Sequence, residues 1–272
     1  MKNILVPIDF SEASHYAAKY AVSLAKPFDA TVTLINVVQQ AVIMDDSVLA
    51  FVMTTQAEIV ESHKELMNKE MEALSGKDRT KIKGFVEEGY PNDIIQAKSK
   101  GMDIIVIGMK GKGQSNSVFG STTTTIIRKL ALPVFVIPEK AEYKPIGSIT
   151  LASDFDAEIE IDRFTFLLEL SEKFNSQIYI LNVQKKDSSM NPYEVIGKMK
   201  TSVAFSNLHH QFHTINERNV EEGINQFIEK NPTDILTMVA HRHNLFERMF
   251  GKVHTKEMSY QTKIPLLVLQ SR

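Results

Sequence analysis

Residues 3–38 read NILVPIDFSEASHYAAKYAVSLAKPFDATVTLINVV, and the fold follows from this stretch. ILVPI is a short apolar run, the pattern of a strand covered on both faces. From Ser11, Ala17, Ala18, Ala21, Val22 and Leu24 recur at helical spacing as one apolar stripe. Ser11 or Asp9 can cap the start of that helix. TVTLINVV then returns to β-branched residues. Strand, helix and strand in succession form a crossover unit, whose two strands lie parallel.

The same alternation continues outward. KIKGFVEEG (81–89), DIIVIG (103–108) and the VFVIP of ALPVFVIP (131–138) read as three further strands. Helical patterns fall at 46–74, 91–100 and about 121–129. In the long 46–74 pattern, Leu49, Val52, Met53, Ile59, Val60, Leu66, Met67 and Met71 are the expected buried positions. Its methionines, Met44, Met53, Met67 and Met71 among them, read more simply as sheet packing than as an adaptable interface. Alternating strands and helices imply a parallel, doubly wound sheet. Such sheets bind ligands at the carboxyl ends of their strands, where the strand order reverses.

The whole pattern then recurs. SITLASDF (148–155) answers NILVPIDF, and DAEIEIDRFTFLLELSEKF from Asp156 answers the first helical run. QIYILNVQKK (177–186) answers TVTLINVVQQ (31–40). PTDILTMV (232–239) answers GMDIIVIG (101–108), and KIPLLVLQ (263–270) answers ALPVFVIP. Five anchors in the same order make two copies of one unit. The expected domains are 1–142 and 146–272, joined near Lys140–Gly147. Val134–Ile137 and Leu266–Leu269 are wholly apolar, and such an edge strand is a pairing liability unless covered. Two equivalent edges in one chain can cover each other, which predicts a pseudo-two-fold dimer within the chain.

Composition narrows the function classes. Of the 272 residues, 43% are hydrophobic and 24% charged, which excludes a disordered or fibrous chain. The net charge is −2, so there is no global bias toward nucleic acid or an anionic membrane. The absence of cysteine excludes disulfides, thiolate catalysis and Cys-based zinc sites. The apolar run at the N-terminus is broken at Pro7 and Asp9, too soon for a signal-peptide core, and no stretch approaches a spanning helix. A cytoplasmic protein with no nucleic-acid or membrane partner is expected.

Residues 108–122, GMKGKGQSNSVFGST, hold four of the chain's 12 glycines: Gly108, Gly111, Gly113 and Gly120. A glycine-rich loop between a strand end and a helix start is a ready anion site, because its amides can approach a ligand and the helix start adds positive potential. Ser121 and Thr122 would add hydroxyls, and Lys110 and Lys112 could neutralise phosphate charge. The alternative is a surface loop with incidental glycines. Neither a Walker A sequence nor G-x-G-x-x-G is present.

VPIDFS (6–11), INV (35–37), IVIG (105–108), the loop from Gly108 to Ser121 and LALPVFVIP resemble the universal stress protein family in its tandem two-domain form. The resemblance implies two Rossmann-like, adenine nucleotide alpha hydrolase-like domains. Each would be a five-stranded parallel sheet with helices on both faces. ATP-binding members carry G-x-x-G, nine residues, then G-[ST]. Gly108–Gly111 match the first part and Gly120-Ser121 the last, with a spacer one residue short. The resemblance implies that Pro7, Ile8 and Asp9 border the adenine and ribose, that the Val37 main chain reads the adenine edge, and that Ile107 and Gly108 pack near the ribose. It makes Gly111, Gly120, Ser121 and Thr122 the phosphate cradle, with ATP and Mg²⁺ as the expected ligands. Asp9 also reads as a helix cap.

The second copy departs from this pattern. Aligning Asp234 with Asp103 puts Val239 at Gly108 and Arg242 at Gly111; Gly251 survives, followed by Lys252. Side chains at former glycines would crowd a triphosphate, so this half is expected to be a degenerate partner. It also carries six of the eight histidines, and His213, His241 and His243 are candidate metal ligands, or anion ligands with Arg242 and Lys252. No hydrolase elbow or metalloprotease helix appears, so no catalytic residue is assigned. Three readings stand: an ATP-binding regulatory protein, a nucleotide-free scaffold, and a metal or anion sensor. An intrachain pseudo-dimer is expected, and a homodimer is open.

Overall fold

The computed structural model describes residues 1–39, 49–76, 80–109, 119–158, 160–184, 190–240 and 264–270. Ten strands form one sheet: β1 (Asn3–Pro7), β2 (Thr31–Val38), β3 (Lys81–Glu88), β4 (Ile104–Gly108), β5 (Val134–Ile137), β6 (Ser148–Ala152), β7 (Gln177–Gln184), β8 (His210–Asn216), β9 (Ile235–Ala240) and β10 (Leu266–Gln270). Their order is β3-β2-β1-β4-β5-β10-β9-β6-β7-β8. Every pairing within a half is parallel, and β5 pairs with β10 antiparallel at the centre. The strand order is palindromic about that contact. Phe135 faces Leu267, its counterpart in PVFVIP and PLLVLQ, so the pseudo-two-fold axis passes between them. The two apolar edges do cover each other.

Among the described residues seven α-helices flank the sheet: α1 (Glu12–Ala25), α2 (Leu49–Leu74), α3 (Pro91–Lys98), α4 (Ser121–Lys129), α5 (Thr165–Phe174), α6 (Pro192–Ala204) and α7 (Val220–Lys230). One apolar layer joins α1, α2, α5 and Phe205 just beyond α6 to one face, with Phe135 and Leu267 at its middle. The other joins α3, α4 and α7 through Ile95, Ile126, Ile127, Ile224 and Phe227. Both layers run through the two halves, so the halves share a core. The near-continuous apolar strands are explained by this coverage on both faces.

Several backbone devices occur twice. The Asp103 carboxylate accepts the amides of Lys2 and Asn3, the latter at 2.8 Å. Its counterpart Asp234 accepts the amides of Gly147 and Ser148, each at 2.9 Å. Each aspartate thus pins the start of its half's first strand from the strand beside it. Phe10 and Phe155 both take left-handed backbone, with φ of 57° and 53°, at the end of that strand. Phe28, just after α1, and Phe174, the last residue of α5, meet edge to face at 5.9 Å.

Some expected elements are shifted. The run from Asp156 is not helical throughout: a 3-10 turn over Ile161–Phe164 precedes α5. Helix α2 is described from Leu49; residues 46–48 and the side chains of Leu49, Val52 and Met53 lie outside the described residues, and Ile59 and Leu66 are exposed rather than buried. Its inner face seats Met67 and Met71 on Gly84 of β3, where a Cβ would meet Met67 Cγ and Met71 Sδ at 2.7 Å. An edge strand offers α2 a narrow platform, so its outward positions, Ile59 and Leu66 among them, stand in solvent. His213 lies inside β8.

Candidate functional site

The carboxyl ends of β1, β2 and β4 meet where the strand order reverses. Past β1, the Ile8 amide donates to the Ile35 carbonyl at 2.9 Å, and the chain then breaks away at Asp9. Asn36, 3% exposed, holds this corner: its Nδ2 donates to the Ile8 carbonyl at 2.9 Å. Its Oδ1 pairs with His63 Nδ1 at 2.8 Å, and the His63 ring stands edge-on to Phe10 at 5.6 Å. Left-handed backbone costs an L-residue about 1–2 kcal/mol, and it persists where surrounding contacts over-determine it. The clamp supplies such contacts. Sequence reasoning missed Asn36, although INV and LNV place Asn36 and Asn182 at matching points of the two copies.

Ser11 is the N-cap of α1, with its Oγ accepting the Ser14 amide at 3.2 Å. Asp9 braces that cap, since its Oδ1 accepts the Ser11 amide at 3.1 Å. The Asp9 amide donates to Ser14 Oγ at 3.3 Å. Asp9 therefore supports the helix start from a half-buried position at the strand ends. Pro7 and Ile8 are buried beside it, and Val37 is half-buried at the end of β2, opposite Glu87 of β3.

Ile107 and Gly108 close β4. Gly108 is where α1 comes nearest the sheet: a Cβ there would meet the Ala13 carbonyl oxygen at 2.8 Å and its carbon at 3.0 Å. The glycine is thus required for packing α1 against β4, whatever ligand lies above. The two ends of the glycine-rich segment are stapled together. The Gly120 amide donates to the Met109 carbonyl at 2.9 Å, and Thr123 Oγ1 donates to the Gly108 carbonyl at 3.0 Å. Phe119 and Met109 are buried on the same core layer. Gly120 is the N-cap of α4 and has no side chain to cover the first-turn amides of the helix. Ser121 is exposed and Thr122 half-buried at this end. The expected contacts Lys110 and Gly111 lie outside the described residues.

The corresponding corner of the second half keeps the backbone but not the space. The Ser153 amide donates to the Leu181 carbonyl at 2.9 Å, and Asn182 Nδ2 donates to the Ser153 carbonyl at 2.8 Å, repeating the first corner. The β-ladder sets Ile149 beside Ile235 as it sets Ile4 beside Ile104, which puts Val239 at the Gly108 position. Val239 packs on the core layer that α1 covers in the first half. A branched side chain there leaves no room for a helix start as close as Ala13, and α5 begins only after the 3-10 turn. Helix α6 lies on the Phe155 backbone through Gly197, where any Cβ would collide with the Phe155 carbonyl.

Among the described residues the histidines form no metal-binding group. His213 sits between Tyr179 and Phe227, with ring centroids at 5.6 and 5.0 Å, as part of an aromatic cluster. His241 and His243 lie outside the described residues. Among the described residues no group of three His, Asp or Glu side chains could hold a metal ion. Among them also, no helix is long and apolar enough to cross a membrane.

Known proteins match this geometry. The chain is 35% identical over 146 residues to a universal stress protein of Methanocaldococcus jannaschii, covering 50% of this chain and 81% of that protein. It is 29% identical over 143 residues to a universal stress protein of Bacillus subtilis, covering 49% of this chain and 97% of that one. The crystal structure of a universal stress protein from Archaeoglobus fulgidus superposes on nearly the whole molecule. The match has a TM-score of 0.69 at 15% identity, over 98% of this chain and 96% of that one, and it shows the shared two-half fold. The model of the universal stress protein family matches residues 1–138. With the doubly wound halves and their switch-point corner in place, that match settles the family: the chain belongs to the universal stress proteins.

Proposed function

We propose that the first half binds an adenine nucleotide, ATP with Mg²⁺, at the carboxyl ends of β1, β2 and β4, and that the protein is a nucleotide-responsive regulator in the cytoplasm rather than an enzyme. The supporting observation is the start of α4. Its N-cap is a glycine, its first turn is held beside the switch point by the Gly120–Met109 and Thr123–Gly108 hydrogen bonds, and its N-cap residue supplies no side-chain cap. Such a helix end favours a phosphate. In this reading Pro7, Ile8, Asp9 and Val37 border the nucleoside, Ile107 and Gly108 the ribose, and Lys110, Gly111, Gly120, Ser121 and Thr122 the phosphates. Mg²⁺ would be held largely by the phosphates, as is usual for that ion. The domains are taken as 1–142 and 146–272, and the second is a structural partner with no equivalent site, since Val239 stands where the first half has Gly108 and glycines of the loop are replaced in its sequence.

Thermal unfolding with and without Mg-ATP tests this. A ligand that binds the native state alone stabilises it by about 2.7 kcal/mol at 100 times its Kd. A midpoint that rises with Mg-ATP, and no longer rises in a Gly111→Val plus Gly120→Val variant, is the expected result. No shift at millimolar Mg-ATP would leave the protein a nucleotide-free scaffold. A shift that survives both substitutions would place the nucleotide elsewhere.

A further inference from the structure

Helix α6 is turned inside out. It runs 13 residues from Pro192, starts at a capping box between Asn191 and Glu194, and is about 20 Å long at 1.5 Å per residue. Its buried positions are the small residues Gly197 and Thr201. Its exposed positions are all apolar: Pro192, Tyr193, Val195, Ile196, Met199 and Val203. Tyr193 is 74% exposed, and Met199 and Val203 are each 65% exposed. The ordinary surface helix has the opposite arrangement.

The polar residues of α6 explain how this is possible. Lys198 lies over the rings of Phe155 and Phe212, with its Nζ 5.9 and 5.2 Å from their centroids. Lys200 Nζ donates to the Ala157 carbonyl at 2.5 Å. Glu194 accepts the Asn191 amide at 2.8 Å. All three charged side chains are folded back onto the body or the cap, which leaves the outward face neutral. Helix α2 occupies the matching place in the first half, and it presents Glu58, Glu61, Lys64, Glu65 and Lys69 to solvent. Among the described residues the apolar face therefore belongs to α6 and not to its counterpart α2.

We propose that the outer face of α6 is the contact between two copies of this chain, which pair through antiparallel α6 helices about a two-fold axis near Met199. Ile196, Met199 and Val203 recur at i, i+3 and i+7, the spacing of a helix-to-helix seam. An axis near Met199 lays Tyr193 and Ile196 of each copy along Val203 of the other, so the stripe complements itself. Ile161 of the adjoining 3-10 turn is also exposed and widens the patch. Tyr193, Val195, Ile196, Met199 and Val203 expose 45–74% of their surface in one stripe, set against the roughly 1,200 Å² in all that a specific pair needs to bury. Among the described residues no cation reaches this face, so an anionic membrane or an acidic peptide would gain no charge attraction from them. A second neutral stripe of the same shape fits it.

Sedimentation or light scattering of the full chain between about 1 and 200 µM tests the proposal. The expected result is a mass that climbs from 30.7 kDa toward twice that value as concentration rises. Met199→Glu with Val203→Glu should weaken association at least about 30-fold, as for central interface anchors. Ile59→Glu on α2 should leave it unchanged. The thermal midpoint of the double variant checks that it is folded, and Met199→Ser with Val203→Ser serves as an uncharged equivalent. A chain that stays monomeric throughout would overturn the proposal. So would a dimer indifferent to both double variants, or one equally disrupted by Ile59→Glu. A monomer that instead co-floats with neutral phosphatidylcholine vesicles would assign the face to lipid and overturn it as well.

Discussion

Replacing Gly108 with alanine separates the packing role of this glycine from any contact it makes with a ligand. The new Cβ would sit 2.8 Å from the Ala13 carbonyl oxygen, 3.0 Å from its carbon and 3.3 Å from its Cβ. Ordinary contact is farther out, and two of the three atoms are backbone, so no side-chain rotation relieves the clash. The first turn of α1 must move off β4 and carry Ser11 and Asp9 with it. Overpacking of this kind costs about 1–3 kcal/mol. The lost freedom of the unfolded chain returns at most about 1 kcal/mol. A net loss of about 1–2 kcal/mol lowers the unfolding midpoint by roughly 2–8 °C. Calorimetry at neutral pH reads this directly, with Gly76→Ala as the control, because a Cβ at Gly76 meets nothing within 4 Å. That control should stay within about 0.5 kcal/mol of the parent. A Gly108→Ala midpoint equal to or above the parent's would refute the packing argument. So would an equal fall in the control.

Two further outcomes follow from the buried polar groups. Tyr20 is buried against Phe135 and Tyr143, and burial, with Tyr143 and Asp234 nearby, pushes its hydroxyl pKa well above the usual tyrosine range. Below pH about 10 both states keep that proton and the contribution is complete; above it the unfolded chain ionises first, so stability falls as pH rises. Urea midpoints between pH 8 and 11 should fall less steeply in Tyr20→Phe, and an unchanged slope would contradict the assignment. Asn36→Ala loses bonds at both ends of the amide, whereas Asn182 uses its Nδ2 and has a buried Oδ1 with no partner. Asn36→Ala should cost about 1–3 kcal/mol and Asn182→Ala less; chemical denaturation giving the reverse order would refute this reading of the bonds at the two corners.

The elements legible in the sequence are those that a periodicity or a repeated word carries. The β-α-β stretch at 3–38, the paired Asp-Phe strand ends and the apolar edges at Val134–Ile137 and Leu266–Leu269 sufficed for two parallel halves joined edge to edge. Helix α4 begins at Ser121 and ends at Lys129, as Gly120 and the following apolar pattern indicate. The candidate site was legible as a strand-end glycine loop, but the work of its parts was not. Gly108 reads as a ligand glycine until Ala13 is seen against it, and Asn36 reads as one more strand residue until the Ile8 carbonyl and His63 are seen on either side. Partners distant in sequence leave no local signal.

The sequence by itself determined the number of units, the parallel winding within each, and the loss of glycines from the second loop. These depend on side-chain type and spacing along the chain. Tertiary structure alone decided that the Val239 position displaces a helix start, that α2 leaves Ile59 and Leu66 in solvent, and that α6 folds its lysines inward and turns an apolar face to solvent. Amphipathicity read along a chain tells which residues share a face. Which face looks inward depends on what stands opposite, and here a glycine against the Phe155 carbonyl set α6 the other way round.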